Sequence, residues 1–271
     1  MTRRAAISVS RLQWRSGVIS TGRRTIAEET PVALTYDGSA YAVMMATPLD
    51  LEDFALGFSL SEGVIEEPGD IESLDIVEVD GGVEARMWLK PAASARNRGR
   101  RRAILGPTGC GLCGVESIAQ ALKTVPDVAD DGFCVRGEDL IRAMEDLQAG
   151  QALNAETRAV HAAALRLPGR DLIMREGVGR HNALDKVIGA AAHAQVAAHN
   201  GVVLLTSRVS VELVQKTARL GAPVICAISA PTALAVRTAE AAGITLAAVL
   251  RGRDFEIFTK PERIGGGRHE S

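Results

Sequence analysis

From about residue 115 to residue 250 the chain alternates short apolar runs with longer stretches of helical spacing, and no other feature constrains its fold so tightly. "VESIAQALKTV" and "GEDLIRAMEDLQA" have the periodicity of helices, "AVHAAAL" and "DLIMR" that of strands, and "HNALDKVIGAAAHAQ" that of a helix. "GVVLLTS", "PVICAIS" and "ITLAAVL" are further strands, separated by helices over 210–220 and 231–242. Short strands joined by helices of this length predict a layered α/β sheet, at least partly parallel.

The first hundred residues follow a different rhythm. Residues 31–46 and 74–89 carry strand-like runs, and "VDGG" at 79–82 predicts a hairpin turn between "LDIVE" and "VEARMWL". Between them, "TPLDLEDFALGFSLSEG" predicts a helix with Thr47 as N-cap, Pro48 in the first turn and Asp50 in a capping box. Leu51, Phe54, Ala55 and Phe58 recur at helical spacing and mark its core face. "ARNRGRRR" at 95–102 is expected to be a polar, basic connector. The expected organisation is an amino-terminal α+β region over 1–102 and an α/β domain over 103–271.

Composition excludes several functions. With 46% hydrophobic and 24% charged residues and a formal net charge of −2, the chain has the character of a soluble globular protein and no global attraction for nucleic acid. Arg3 and Arg4 are not followed by an apolar run, so no secretory signal is expected, and no stretch reaches the ~18 apolar residues of a spanning helix. A cytoplasmic protein is expected. In a reducing compartment four cysteines do not suggest a disulfide framework, and Cys226, inside "APVICAIS", is expected to be buried.

Two of the four cysteines stand in "GPTGCGLCGVES", where Cys110 and Cys113 are spaced Cys-x-x-Cys among glycines. With a helix opening near Val115, their sulfurs would lie beside unpaired amides and a positive helix end, which favours thiolate. Spacing alone leaves open a reactive dithiol, a pair of small buried residues, and a zinc site. A closed zinc site would need Cys134, His161 or His181 brought in by the fold.

Polar residues cluster where α/β strands end. "EGVGRHNALDK" places Gly177 and Gly179 before a helix start, a weak anion-binding signal, followed by Arg180, His181, Asn182 and Asp185. "TSR" follows one strand and "SAPTA" another, so Ser207, Arg208, Ser229 and Thr232 are expected to meet at the carboxyl edge of the sheet, with helix capping as the alternative for Ser229 and Thr232. His161, in an apolar strand, is expected to be buried unless it faces that edge. Arg98, Arg100, Arg101 and Arg102 form a basic cluster that suits either an acidic partner or plain solvation.

In order along the chain, "ATPLDLEDFALGFSLSEGVI", "GCGLCGVES", "AVHAAAL", "REGVGRHNALDKVIGAA", "LLTSRVSVELVQKTARLGAPVICAISAPTALAVRTAEAAGITLAAVLRG" and "FEIFT" resemble the FdhD family of formate dehydrogenase accessory sulfurtransferases over about residues 25–260. The resemblance implies a cytidine-deaminase-like carboxy-terminal domain beside a smaller amino-terminal one, and a homodimer. It implies that sulfane sulfur is received from a cysteine desulfurase and passed to the molybdenum bis(molybdopterin guanine dinucleotide) cofactor destined for formate dehydrogenase. Cys110 would be the persulfide carrier and Cys113 its partner. Val249, Leu250, Arg251, Gly252, Arg253 and Asp254 would bind the guanine dinucleotide, for which GDP could serve as an analogue. Deaminase chemistry is not implied, since the chain has no H-x-E followed by P-C-x-x-C. It departs from the family pattern at Arg158, where a glycine usually follows the threonine of "T-G-x-V-H-A-A"; if that position needs positive φ, the pocket edge changes here.

Overall fold

The computed structural model describes residues 4–104, 125–128 and 132–266, so the Cys110–Cys113 loop and the helix expected over "VESIAQALKTV" lie outside the described residues. The chain opens with a two-stranded antiparallel ribbon, β1 (Ala6–Arg15) and β2 (Val18–Ala27), that the sequence reading did not anticipate. Ser16 and Gly17 turn it with φ of 49° and 87°, the left-handed pair that a two-residue hairpin requires. Its tip leaves Leu12 and Trp14 mostly exposed.

A four-stranded sheet follows, in the order β4 (Ser39–Ala46), β3 (Thr30–Tyr36), β6 (Gly82–Leu89), β5 (Ile71–Val79). The β5–β6 hairpin turns at Asp80 and Gly81 as "VDGG" predicts, with Gly81 at φ 77°. Strand β3 alternates strictly, burying Val32, Leu34 and Tyr36 against Phe54 and Phe58 of helix α1 (Leu51–Ser61). The predicted core face of this helix is therefore present.

Its predicted cap is not. Asp50 occupies the N-cap position in a left-handed conformation, φ 51°, and makes no side-chain cap. The Thr47 hydroxyl instead accepts a hydrogen bond from Val178 N at 3.0 Å, so a distant segment claims it. The expected connector is also corrected: helix α2 (Pro91–Ile104) runs through it. Proline suits a helix's first turn. Ala93, Ser94 and Asn97 form a buried stripe, and the Ser94 hydroxyl donates to Asp37 at 2.6 Å.

Beyond residue 132 come β7 (Val135–Arg136), α3 (Gly137–Gly150), α4 (Ala152–Thr157), β8 (His161–Arg166), β9 (Ile173–Gly177) and α5 (Arg180–His193). After these come β10 (Val202–Leu205), α6 (Val211–Leu220), β11 (Val224–Ala227), α7 (Ala233–Ala241), β12 (Thr245–Arg251), β13 (Asp254–Thr259) and β14 (Ile264–Gly265). The main sheet has the order β13-β12-β11-β10-β8-β9. Strands β10, β11 and β12 are parallel to one another, and β8, β9 and β13 are antiparallel to their neighbours, so the layered, partly parallel α/β expectation holds. Val203, Leu205, Ile225 and Leu246 pack with α5–α7 on one face. On the other face Leu204, Val224 and Cys226 meet Leu140, Met144 and Leu147 of α3. Cys226 is fully buried as expected, and burial pushes its thiol up to about 12, which leaves it unreactive.

Helix α1 crosses α5 backbone to backbone. A Cβ on Gly57 would overlap the Asp185 carbonyl oxygen and lie 2.6 Å from Gly189 N. A Cβ on Gly189 would likewise overlap the carbonyl oxygen of Asp53. Beside the crossing, Lys216 Nζ binds Asp185 at 2.9 Å, Glu62 at 3.1 Å and the Ser61 hydroxyl at 2.8 Å. Burial opposes the charge on Lys216, but Asp185 and Glu62 outweigh it and raise its pKa.

Candidate functional site at the carboxyl edge of the sheet

Parallel strands β10, β11 and β12 all end at one edge, and the segments after them carry the polar residues. Antiparallel β8 begins there, and the Thr206 hydroxyl joins it to β10 by accepting from Ala162 N at 2.8 Å. His161, the first residue of β8, is thus half-buried at this edge rather than inside the sheet. Strand β9 also ends here and leads through Gly179, the N-cap, into α5 with Arg180 and His181 in its first turn. From β12, Arg251 reaches across with Nη1 donating to the carbonyls of Ile228, just past β11, and of Leu250. Ser207, Arg208 and Ser229 follow the strand ends at this edge, where the first turn of α5 adds Arg180 and His181 and the end of β12 adds Arg251.

Their roles differ. Asn182 is buried and its amide donates to Met45 O at 2.8 Å, so its side chain helps hold α5 on β4. Ser207 is also buried, with its hydroxyl on Arg208 O at 3.1 Å. The N-cap of α7 is Thr232, which accepts from Ala235 N at 3.2 Å, so Ser229 is not the cap. Leu250 belongs to the core under α3. Around it the strand is irregular: the register shifts between Ala248 and Arg251, and Val249 and Gly252 have φ of 57° and 58°. Arg251, Gly252, Arg253 and Asp254 are exposed.

Both histidines are held neutral. Burial, reinforced by the nearby Arg180 charge, lowers His161 and brings His181 down to about 4. His181 Nε2 lies 3.3 Å from the Ser210 hydroxyl and 3.7 Å from Glu212. At neutral pH these rings offer hydrogen bonds, not charge. The positive charge at the edge comes from guanidinium groups on Arg180, Arg208, Arg251 and Arg253. Planar, permanently charged donors of this kind suit phosphate oxygens, so the residues present fit a pyrophosphate-containing cargo.

A cleft of about 460 Å³ opens beside this edge, walled by α3, α4, His161, Thr206 and Ile228. Its α4 wall is set by a residue to which the sequence reading gave no role. Glu176, at the end of β9, accepts from Leu153 N at 2.8 Å and Asn154 N at 2.9 Å, so a carboxylate from another element caps this six-residue helix. The same residue's carbonyl, with that of Thr47, receives Lys186 Nζ at 3.3 and 3.2 Å, and burial brings this lysine down to about 8. The acidic residue in "REGVGRH" was the available signal, but its partner lies over twenty positions upstream. Arg158 ends α4 with φ 58°, so the position does require the left-handed conformation that its departure from glycine brought into question. Among the described residues no three His, Cys, Asp or Glu side chains converge on a metal-sized site, and Cys134, His161 and His181 are not brought together. No described helix is long and apolar enough to cross a membrane.

The comparisons agree with this architecture. The model of the FdhD/NarQ family matches residues 27–265. The sulfur carrier protein FdhD of Agrobacterium fabrum is 52% identical over 257 residues, covering 94% of this chain and 95% of that protein. The protein of the same name from Cupriavidus necator is 46% identical over 269 residues, covering 98% and 91%. A crystal structure assigned as a formate dehydrogenase accessory protein from Desulfotalea psychrophila superposes with a TM-score of 0.75 at 26% identity, covering 96% of this chain and all of that one. The match spans the four-stranded sheet, the glycine crossing and the six-stranded sheet with its arginine-lined edge, and by it the chain belongs to the FdhD/NarQ family.

Proposed function

We propose that this protein is a sulfur carrier in formate dehydrogenase maturation. Cys110 takes sulfane sulfur from a cysteine desulfurase: its thiolate attacks the outer sulfur of the donor persulfide, a new S–S bond forms, and the donor leaves as a thiolate. The outer sulfur then passes to reduced molybdenum in a bis(molybdopterin guanine dinucleotide) cofactor: the S–S bond breaks, Cys110 leaves as a thiolate, and the molybdenum supplies the two electrons that turn the sulfur into a sulfide ligand. The observation that carries the cofactor part is the convergence of Arg180, Arg208 and Arg251 at one sheet edge, where Arg251 is strapped to Ile228 O beside the exposed turn that carries Arg253. The relatives named sulfur carrier protein support the sulfur part. Family resemblance supplies the homodimer and Cys113 as the partner thiol, and the cytoplasmic setting is the expectation from the sequence.

The test uses Cys110→Ser. Mass analysis after incubation with a cysteine desulfurase and cysteine should show one added sulfur on Cys110 in the wild type and none at position 110 in the variant, because a hydroxyl cannot carry sulfane sulfur. Affinity for GDP should stay unchanged within roughly a few-fold, since the proposed binding residues belong to other segments of the chain. Activation of sulfur-free formate dehydrogenase by cofactor-loaded protein should be lost in the variant. Equal activation by both would leave a cofactor chaperone that carries no sulfur.

A further inference from the structure

We infer that an apolar groove at the carboxyl ends of α1, α5 and α6 seats this chain's own residues 115–124 as a helix, and that the seated helix turns its amino end toward the Cys110–Cys113 loop. The groove has a volume of about 520 Å³ and is lined chiefly by Leu60, Ile188, Ala191, Ala192, Val196 and Leu220. Among the described residues its lining carries one charge, Arg219. Helices α5 and α6 start at the arginine-lined edge, so a groove at their other ends is separate from that site. An open apolar surface of this kind calls for a cover.

The path of the chain and its apolar pattern identify the occupant. Val125 is half-buried against the same core as Leu60, Val196 and Leu220, and Val128 N then donates to Ala242 O at 2.9 Å, just past α7. Helix α6 packs on both α7 and α5. Packed helices lie ~10 Å apart and ten helical residues span ~15 Å, so the stretch leading to Val125 is long enough to cross α6 and reach the groove. The segment's upstream end borders the groove too: Arg96 of α2 donates to Asp70 at 2.7 Å, and Asp70 adjoins Pro68 and Gly69 on the groove's rim. Val115, Ile118, Leu122 and Val125 recur at helical spacing as one apolar stripe, while Glu116, Ser117, Gln120, Lys123 and Thr124 fill the opposite face. A helix so patterned needs an apolar surface to lie on, and the groove supplies it. Val115 follows Cys113 by two residues, so the seated helix brings its unpaired first-turn amides and positive end to the thiols and favours thiolate. This holds whatever the thiols carry.

Two double variants of the full-length protein test this, each receiving the same new residues: Ile118→Asn/Leu122→Asn on the stripe and Ser117→Asn/Gln120→Asn on the opposite face. Amide hydrogen exchange read by mass spectrometry should show residues 188–197 and 217–221 equally protected in the wild type and the opposite-face variant, and exchanging roughly tenfold faster or more in the stripe variant. Alkylation of Cys110 and Cys113 at pH 7 should slow by about two- to fivefold in the stripe variant alone, the thiolate share that a helix end supplies. A third protein makes the result independent of how the stripe variant folds: a benzophenone side chain in place of Leu122 should cross-link, on illumination, to residues 188–197, Leu60 or Leu220. Cross-links elsewhere, or equal exchange at the groove in the two double variants, overturn the seating. Faster groove exchange with unchanged alkylation overturns the role of the helix's amino end. Persulfide formation on Cys110 is a separate measurement, and its failure would leave the seating intact.

Discussion

Replacing Gly57 by alanine should cost this protein several kcal/mol despite alanine's being the better helix former. Alanine gains ~1 kcal/mol over glycine in a helix interior. Against that, the new Cβ overlaps the Asp185 carbonyl oxygen and stands 2.6 Å from Gly189 N, where non-bonded heavy atoms need ~3.5 Å. Both obstacles are backbone, and no rotamer change relieves them. The helices must therefore separate by about an ångström, and overpacking of this kind costs ~3 kcal/mol or more when neighbours cannot give. The separation also stretches the Lys216–Asp185–Ser61 cluster beside the crossing. A net loss of ~2–4 kcal/mol lowers the melting temperature by about 5–15 °C in a chain of this size. Gly99→Ala is the control: Gly99 lies inside α2, and its Cβ would meet nothing within 4 Å among the described residues, so a small gain is expected. Thermal melts of both variants decide the matter, and an unchanged Gly57→Ala melt would show that the helices do not cross at this glycine.

Glu176→Gln keeps the side-chain shape but supplies one acceptor oxygen where two backbone N–H groups now bind, so stability should fall by ~1.5–3 kcal/mol in urea titrations. A variant with undiminished stability would show that the carboxylate does not cap α4. His181, with its folded pKa depressed to about 4, takes up its proton in the unfolded chain first as pH falls below the usual 6.5, so its contribution to stability is lost between pH 6.5 and pH 4. Partial exposure reduces the loss to ~1–2 kcal/mol, and His181→Gln should flatten the dependence of the urea midpoint on pH over that window; parallel curves for the two proteins would count against a neutral, desolvated ring.

Features written in local sequence were legible. The strands at "GVVLLTS", "PVICAIS" and "ITLAAVL", the "VDGG" turn and the Phe54–Phe58 face each follow from periodicity within a few residues, and each is present. Strand ends in an α/β sheet also put Ser207, Arg208, Ser229 and Thr232 at one edge, whereas Arg251 came from the family resemblance alone. What escaped was decided at long range. Thr47 looks like a cap, but Val178 supplies the donor it accepts. Asn182 carries no local sign that its amide donates to Met45 O and so ties α5 to β4. A Glu176 carboxylate that caps a helix over twenty residues upstream has no local signature, and neither has the pairing of Gly57 with Gly189. Helix α2 was hidden for another reason: its arginines mask a narrow stripe of Ala93, Ser94 and Asn97 that only the fold reveals as buried.

These long-range bonds form one connected support for the edge. Thr47, just after β4, accepts Val178 N through its hydroxyl and Lys186 Nζ through its carbonyl, and Lys186 also holds the Glu176 carbonyl. The Glu176 side chain then fixes the start of α4, whose far end carries Arg158. Helix α5 is pinned from the other side by Asn182 on Met45 O and by the glycine crossing with α1. The lysine is deeply buried and bound to carbonyls, and desolvation, which outweighs the nearby Asp50, Asp53 and Glu176 carboxylates, brings its pKa down to about 8. Such a group is a poor choice for stability by itself, yet it ties three segments together through a bond to each of two carbonyls that an apolar side chain could not make. The amino-terminal sheet therefore acts as the mount for the polar edge of the other sheet: the strand-to-helix connection at 45–50 sets where α5 begins, and through Glu176 where α4 stands.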